Sequence, residues 1–164
     1  MKTIQELVKE RILILDGAMG TMIQNYHLTE EDFRGELFRR QPGVMKGNND
    51  MLNITRPDVM KDIFRQYIEA GADIITTNTF SSQRISQADY LLEDYAGEMA
   101  LQGARIAREV ADEYASEKHP CFVAGSVGPT NKTCSMSPDV SNPAARNLTY
   151  DQLFDAYCEQ IDGL

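Results

Sequence analysis

The sequence predicts an α/β fold in which the strands run parallel. Three short β-rich runs alternate along the chain with segments whose apolar residues recur at helical spacing. A strand-then-helix order repeated three times is typical of parallel sheets with right-handed crossovers. Two architectures fit this order, a doubly wound open sheet and a (β/α)8 barrel. Residues 1–164 show no internal repeat and no flexible linker, so we treat them as one unit.

The three predicted strands are residues 12–15, 74–77 and 121–124. The first is the continuous apolar run Ile-Leu-Ile-Leu, which indicates a strand buried on both faces. The second run ends at Asn78 and the third at Gly125. We expect the three strands to lie side by side in chain order, because consecutive strands in such folds are usually neighbours.

The helix between the first two strands is predicted from an apolar stripe over residues 59–68. Thr55 and Asp58 match a capping box at its start. Gly71 is well placed to end the helix in a left-handed conformation.

Two further helical regions follow the second and third strands. Residues 86–117 have helical periodicity, and Gly97 is expected to divide them into two helices. The last helix is predicted to begin at Thr149, where Gln152 completes a second capping box.

Composition and charge exclude several classes of protein. Apolar residues make up 42% of the chain and charged residues 25%, as in soluble globular domains. The net charge of -9 disfavours nucleic acid and anionic membranes as partners. No secretory signal is visible at the N-terminus, and no apolar run approaches the roughly 20 residues that span a bilayer. Three widely spaced cysteines indicate a reducing compartment, so we expect a cytoplasmic protein.

The first candidate site segment follows the first predicted strand. It consists of Asp16, Gly17, Ala18, Met19 and Gly20. Two glycines let backbone N–H groups approach an anion, and the Asp16 carboxylate offers a negative charge to an ammonium group. An α-amino acid carries both groups. A tight turn with a helix cap explains the same pattern without any ligand.

The ends of the other two predicted strands supply the remaining candidates, Asn78 and Ser126. Ligands of parallel α/β folds bind at the carboxyl ends of the strands, so the three segments are expected to share one site. Turn chemistry explains each segment when it is taken alone. The convergence of three such segments favours a common binding site.

Other reactive side chains give weaker patterns. His27 and His119 are isolated, and Cys121, Cys134 and Cys158 lack metal-ligand spacing, so no metal ligand and no catalytic residue is predicted here. Cys121 and Cys158 fall on apolar faces and are predicted to be core residues.

Several segments resemble the homocysteine-binding region of cobalamin-dependent methionine synthases. They are residues 16–21, 26–36, 46–50, 70–75, 77–80 and 123–131, and the similarity continues through residues 135–147. The resemblance covers nearly the whole chain from Ile12 onward. Residues 33–36 and 46–50 are more similar to these synthases than to betaine-dependent homocysteine methyltransferases. Thr76 departs from the pattern, because the synthases often carry an acidic residue there.

The resemblance implies the first three βα units of a TIM (β/α)8 barrel with parallel strands, truncated before the barrel closes. It implies that residues 1–164 are the N-terminal part of the homocysteine-binding domain of a methyltransferase. In this family a zinc ion held by three cysteines binds the homocysteine thiolate. The thiolate takes a methyl group from methylcobalamin, which methyltetrahydrofolate remethylates.

The resemblance also implies which parts lie elsewhere. The zinc cysteines of the family lie on later strands, and none of the three cysteines here matches their positions. We therefore expect residues 1–164 alone to bind neither zinc nor cobalamin and to be inactive. The expected partners are homocysteine, the rest of the barrel, and the folate and cobalamin domains.

Two other functions remain open at this point. One is a different homocysteine S-methyltransferase-type barrel, or another barrel that handles an amino acid or hydroxy acid. The other is an open-sheet α/β binding module without catalysis. The sequence that follows Leu164 in the source gene would discriminate between them, because a fourth strand followed by widely spaced cysteines favours the methyltransferase.

Overall fold

The computed structural model describes residues 2–117 and 119–164. Within these residues, two short parallel strands form the sheet. Strand β1 is Ile74–Thr76 and strand β2 is Phe122–Ala124. They pair in parallel, with Ile75 opposite Val123. The predicted parallel pairing of the second and third runs is therefore confirmed.

The first predicted strand joins this sheet through one residue. Leu15 forms an isolated parallel bridge with Ile74, on the side of β1 away from β2. The backbone N–H groups of Asp73 and Ile74 donate to the carbonyl of Ile14, at 2.8 and 3.1 Å. The order along the sheet is thus the predicted one, although three complete βα units are not formed.

The prediction that residues 12–15 are buried on both faces is wrong. The side chains of Ile12 and Ile14 are 84% and 52% exposed. This run lies at the edge of the sheet, where β1 pairs with one side and no other strand of the described residues pairs with the other. The Asp73 carboxylate holds the run in place, accepting bonds from the Arg11 guanidinium at 2.6 and 2.7 Å and from the Ile14 N–H at 2.9 Å.

Helices account for most of the remaining regular structure. In chain order they are α1 (Ile4–Leu7), α2 (Met19–Gln24), α3 (Glu30–Arg34), α4 (Leu52–Thr55), α5 (Pro57–Glu69), α6 (Arg84–Gln87), α7 (Ala96–Tyr114) and α8 (Tyr150–Gly163). Short 3-10 turns occupy Asn49–Met51, Ala88–Tyr90 and Glu93–Tyr95.

Helix α5 buries its predicted apolar stripe, which includes Ile63 and Phe64, against the core. Gly71 follows the helix with φ +106°, as predicted. The predicted capping box is wrong, because Thr55 belongs to α4 and its hydroxyl donates to the Met51 carbonyl. The Asp58 carboxylate instead accepts from the guanidinium of Arg56.

Helix α7 packs between α5 and α8. Gly97 does not divide it, since the helix runs unbroken from Ala96 to Tyr114. The predicted division occurs earlier, at Leu91, which has φ +56°. Helix α8 begins as predicted, because the Thr149 hydroxyl accepts from the Gln152 N–H at 3.2 Å. No helix of the described residues combines the length and apolar character needed to cross a membrane.

Candidate functional site

A cavity of about 500 Å³ lies at the carboxyl ends of β1 and β2. Its wall comes mainly from three loops, which we name loop one (residues 16–51), loop two (residues 77–83) and loop three (residues 125–149). Its lining residues are Gly17, Met19, Gly20, Gly47, Asn48, Asn49, Asp50, Thr76, Thr77, Asn78, Phe80, Ser81, Ser86, Asp89, Tyr90, Ser126 and Asn131. The size falls in the range typical of small-molecule sites.

Five of the seven predicted site residues line this cavity. They are Gly17, Met19, Gly20, Asn78 and Ser126. The strand ends bring these segments together, as the parallel arrangement predicts. Asp16 and Ala18 lie outside the lining.

Asp16 is bonded to the end of β1. Its carboxylate accepts from the Thr76 N–H at 2.8 Å and from the Thr76 hydroxyl at 2.9 Å. Burial raises the pKa of Asp16 above its ordinary value, and the two Thr76 bonds partly oppose that rise. Because Thr76 lines the cavity, Asp16 lies directly behind the cavity wall.

The turn after Asp16 presents free backbone donors. Within the described chain, the N–H groups of Gly17 and Ala18 donate to no protein acceptor. A Cβ on Gly17 would lie 3.2 Å from the Tyr67 hydroxyl oxygen, so this position is already tightly packed. Helix α2 then begins at Met19. The turn therefore presents open amides beside a glycine that packs closely against Tyr67.

Asn78 directs most of its side-chain hydrogen bonds into the protein. Its amide group donates to the Asn49 carbonyl at 2.8 Å and to the Asn53 side chain at 3.2 Å. Asn53 in turn donates to the Asn78 and Met99 carbonyls. This buried network fixes loop two against the 3-10 turn at Asn49, so Asn78 shapes the cavity wall.

Ser126 is held through its backbone. Its N–H donates to the Thr77 hydroxyl at 2.9 Å, and its carbonyl accepts from the Thr79 hydroxyl at 2.8 Å. Among the described residues its own hydroxyl has no hydrogen-bond partner. That hydroxyl is therefore available to a ligand.

Asp50 is a cavity residue that the sequence analysis missed. It is 5% exposed, and its Oδ1 accepts from the Ser81 N–H at 2.9 Å and the Ser82 hydroxyl at 2.8 Å. Burial raises the pKa of Asp50 to about 6. The available signal was the Lys-Gly-Asn-Asn-Asp segment at 46–50, which contributes four of its five residues to the lining.

The cysteines do not assemble a metal site within the described chain. Cys121 is buried immediately before β2, while Cys134 and Cys158 lie in loop three and on α8. Burial raises the pKa of Cys121, which disfavours the thiolate that a metal would bind. Its Sγ lies 3.6 Å from Nδ1 of His119. Among the described residues, no three His, Cys, Asp or Glu side chains are placed to hold a metal ion.

Comparison with known proteins identifies the relatives of this chain. The family model described as homocysteine S-methyltransferase matches residues 13–164. Two solved structures of the homocysteine methyltransferase MmuM from Escherichia coli, the oxidized and the metallated forms, share the fold. Their TM-scores are 0.69 and 0.68 at 18% and 17% sequence identity. Each match covers 98% of this chain and 51% or 52% of the other, so the chain spans about half the length of these structures.

Proposed function

The chain belongs to the homocysteine S-methyltransferase family, and we propose that its cavity binds homocysteine as the acceptor of a methyl group. The observation that carries the proposal is the cavity at the strand ends, which joins free backbone amides to the buried Asp50 carboxylate. No Lys or Arg lies among the lining residues of the described chain. The cavity thus complements a ligand that brings its own positive charge together with a carboxylate.

In this proposal the amino-acid end of homocysteine binds at the turn after the first extended run. The amides of Gly17 through Gly20, including those of Ala18 and Met19, bind the carboxylate, because backbone N–H groups complement an anion. Asp16 provides negative charge for the ammonium group, while Asn78 and Ser126 shape the same wall. The described residues bind and orient the substrate, and none of them is assigned a catalytic role.

The similarity to cobalamin-dependent methionine synthases suggests the finer reaction. We propose that the methyl group comes from methylcobalamin, supplied originally by methyltetrahydrofolate, and that the product is methionine. Zinc would bind the substrate sulfur and keep it as the thiolate. The described residues do not fit a zinc site, so we assign the metal, the cobalamin and the folate to other parts of the complete protein. The three free cysteines support a reducing, cytoplasmic location.

A methyl-transfer assay on the full-length protein tests the function. The protein is incubated with L-homocysteine and methylcobalamin, and methionine is measured by mass spectrometry. Sulfonium and quaternary ammonium methyl donors are assayed in parallel, and L-cysteine serves as the acceptor control because it is one methylene shorter. Methionine formed from methylcobalamin supports the full proposal. If methionine forms only from another donor, the proposed homocysteine site stands but the proposed cobalamin donor is wrong. If no donor gives methionine, the proposed function is wrong.

A further inference from the structure

The Asp50 carboxylate has one oxygen that two other residues fix and one that accepts no hydrogen bond from any other described residue. Oδ1 accepts from the Ser81 N–H and the Ser82 hydroxyl at 2.9 and 2.8 Å. Within the described chain, Oδ2 receives no hydrogen bond from any other residue's side chain. Asp50 lines the cavity, so the fixed oxygen sets the orientation of the group and the second oxygen is available to a ligand.

The charge of Asp50 has no partner within the described chain. No salt bridge there includes this residue, and no Lys or Arg contributes to the cavity wall. A carboxylate that is 5% exposed has lost most of its hydration, and buried charges are normally paired. A positively charged ligand group would supply the missing partner.

Asp50 is better placed for this contact than the other two nearby carboxylates. Asp16 lies outside the lining, and both of its oxygens accept from Thr76. Asp89 lines the cavity and accepts from the Asn131 amide at 2.5 Å through one oxygen, but it is an exposed residue whose charge water can solvate. Of the three carboxylates, Asp50 alone is buried, and it lines the cavity with one oxygen bonded to the protein.

We propose that Asp50 binds the ammonium group of the amino-acid substrate directly and sets the preference of the site for an α-amino acid. This assignment rests on the proposed homocysteine site and adds a second carboxylate to the one supplied by Asp16. A cation donates hydrogen bonds to a carboxylate more strongly than a neutral group does. Substrate analogues that lack the amino group should therefore lose this contact together with the charge interaction with Asp16.

The test compares two ligands that differ only in that group, L-homocysteine and 4-mercaptobutanoate, by calorimetric titration of the full-length protein. The variant Asp50→Asn keeps an oxygen that can accept from Ser81 and Ser82, and so preserves the wall. The matched control is Asp151→Asn, which makes the same charge change at an exposed position on α8. Circular dichroism verifies that each variant is folded.

We expect the wild-type protein to bind homocysteine at least about tenfold more tightly than 4-mercaptobutanoate. Asp50→Asn should reduce that preference by weakening homocysteine binding while leaving 4-mercaptobutanoate binding nearly unchanged. Asp151→Asn should change neither affinity. The assignment is overturned if Asp50→Asn retains the preference, or if it weakens both ligands equally. A wild-type protein that does not bind homocysteine would instead reject the proposed function, and this assignment with it.

Discussion

The Asp16 carboxylate and the Thr76 hydroxyl join the first extended run to the end of β1, with 2.9 Å between Oδ1 and Oγ1. The Thr76 N–H adds a second bond, at 2.8 Å. Threonine can donate to Asp16, whereas an ionised acidic side chain at position 76 would repel it. The departure from the synthase pattern therefore has a local structural consequence, because it lets one residue fix the carboxylate through both backbone and side chain.

Replacing Asp16 with alanine should weaken homocysteine binding by roughly 1.5 to 3 kcal/mol, the usual contribution of a hydrogen bond to a charged group. The substitution removes the negative charge behind the cavity wall and releases Thr76. Calorimetric titration of the full-length protein measures the effect, with Asp151→Ala as the exposed control. Zinc content should stay the same, because Asp16 is not a proposed metal ligand. Equal homocysteine affinity in the wild-type protein and Asp16→Ala would show that Asp16 has only a structural role.

Two glycines of helix α7 should respond to alanine in opposite ways. A Cβ at Gly103 would lie 2.5 Å from Thr79 Cγ2 and 2.7 Å from Asn53 Nδ2, which disrupts the network that holds Asn78. Gly103→Ala should therefore lower the free energy of unfolding by about 1 to 3 kcal/mol. Gly97→Ala is the matched control, since its Cβ meets nothing closer than 3.5 Å. Gly97→Ala should raise the free energy of unfolding by about 0.5 kcal/mol, because alanine has a higher helix propensity than glycine.

Urea denaturation of the full-length protein and both variants measures these differences. A Gly103→Ala protein as stable as Gly97→Ala would mean that α7 can move away from loop two without cost.

The buried Asp50 carboxyl should make the stability of the protein depend on pH. Its pKa in the folded protein is about 6, above the ordinary value of 3.8, so folding favours the protonated form. The contribution of the protonated Asp50 carboxyl to the free energy of unfolding is then complete below pH 4, and it is lost as the pH rises through about 6. Between pH 4 and 7, the free energy of unfolding of Asp50→Asn should rise relative to wild type by about 2 kcal/mol.

Denaturant titrations of both proteins at intervals of half a pH unit provide the measurement. Parallel curves for wild type and Asp50→Asn across this range would show that Asp50 does not carry the pH dependence.

Residues 1–164 expressed alone should retain no stoichiometric zinc. Cys121, Cys134 and Cys158 lie in three separate elements, and zinc requires several deprotonated ligands around one point. Purification in the presence of zinc, followed by dialysis and elemental analysis, tests this. One equivalent of retained zinc that disappears when the three cysteines are replaced would place the metal site within these residues.

Local signals in the sequence predicted those parts of the fold that depend on neighbouring residues. Thr149 caps α8 because its hydroxyl reaches an N–H three residues ahead, and Gly71 takes the positive φ that it tolerates. The division at Leu91 had no such signal, because leucine rarely adopts φ +56° and only surrounding structure can hold it there. The exposure of Ile12 was equally hidden, since composition shows an apolar run but not what covers it.

The residues of the candidate site likewise differ in whether the local sequence could predict them. Gly17, Asn78 and Ser126 could be placed at the cavity because each follows a predicted strand, and parallel strands end at one edge. Asp50 follows no strand. Its position depends on Ser81 and Ser82, which lie more than 30 residues away in the chain and meet it only in the folded structure.

The single bridge between Leu15 and Ile74 gives this part of the protein a low threshold for local opening. Few backbone bonds hold the run, and cooperative units with few bonds detach at a fraction of the global unfolding free energy. When the run detaches, the Ile74 amide loses its acceptor and becomes open to solvent exchange, while Asp16 leaves Thr76 and carries the Gly17 turn with it. A molecule bound at that turn opposes the detachment by mass action. A ligand in the cavity should therefore slow deuterium uptake at the Ile74 amide, which lies on the side of β1 away from β2.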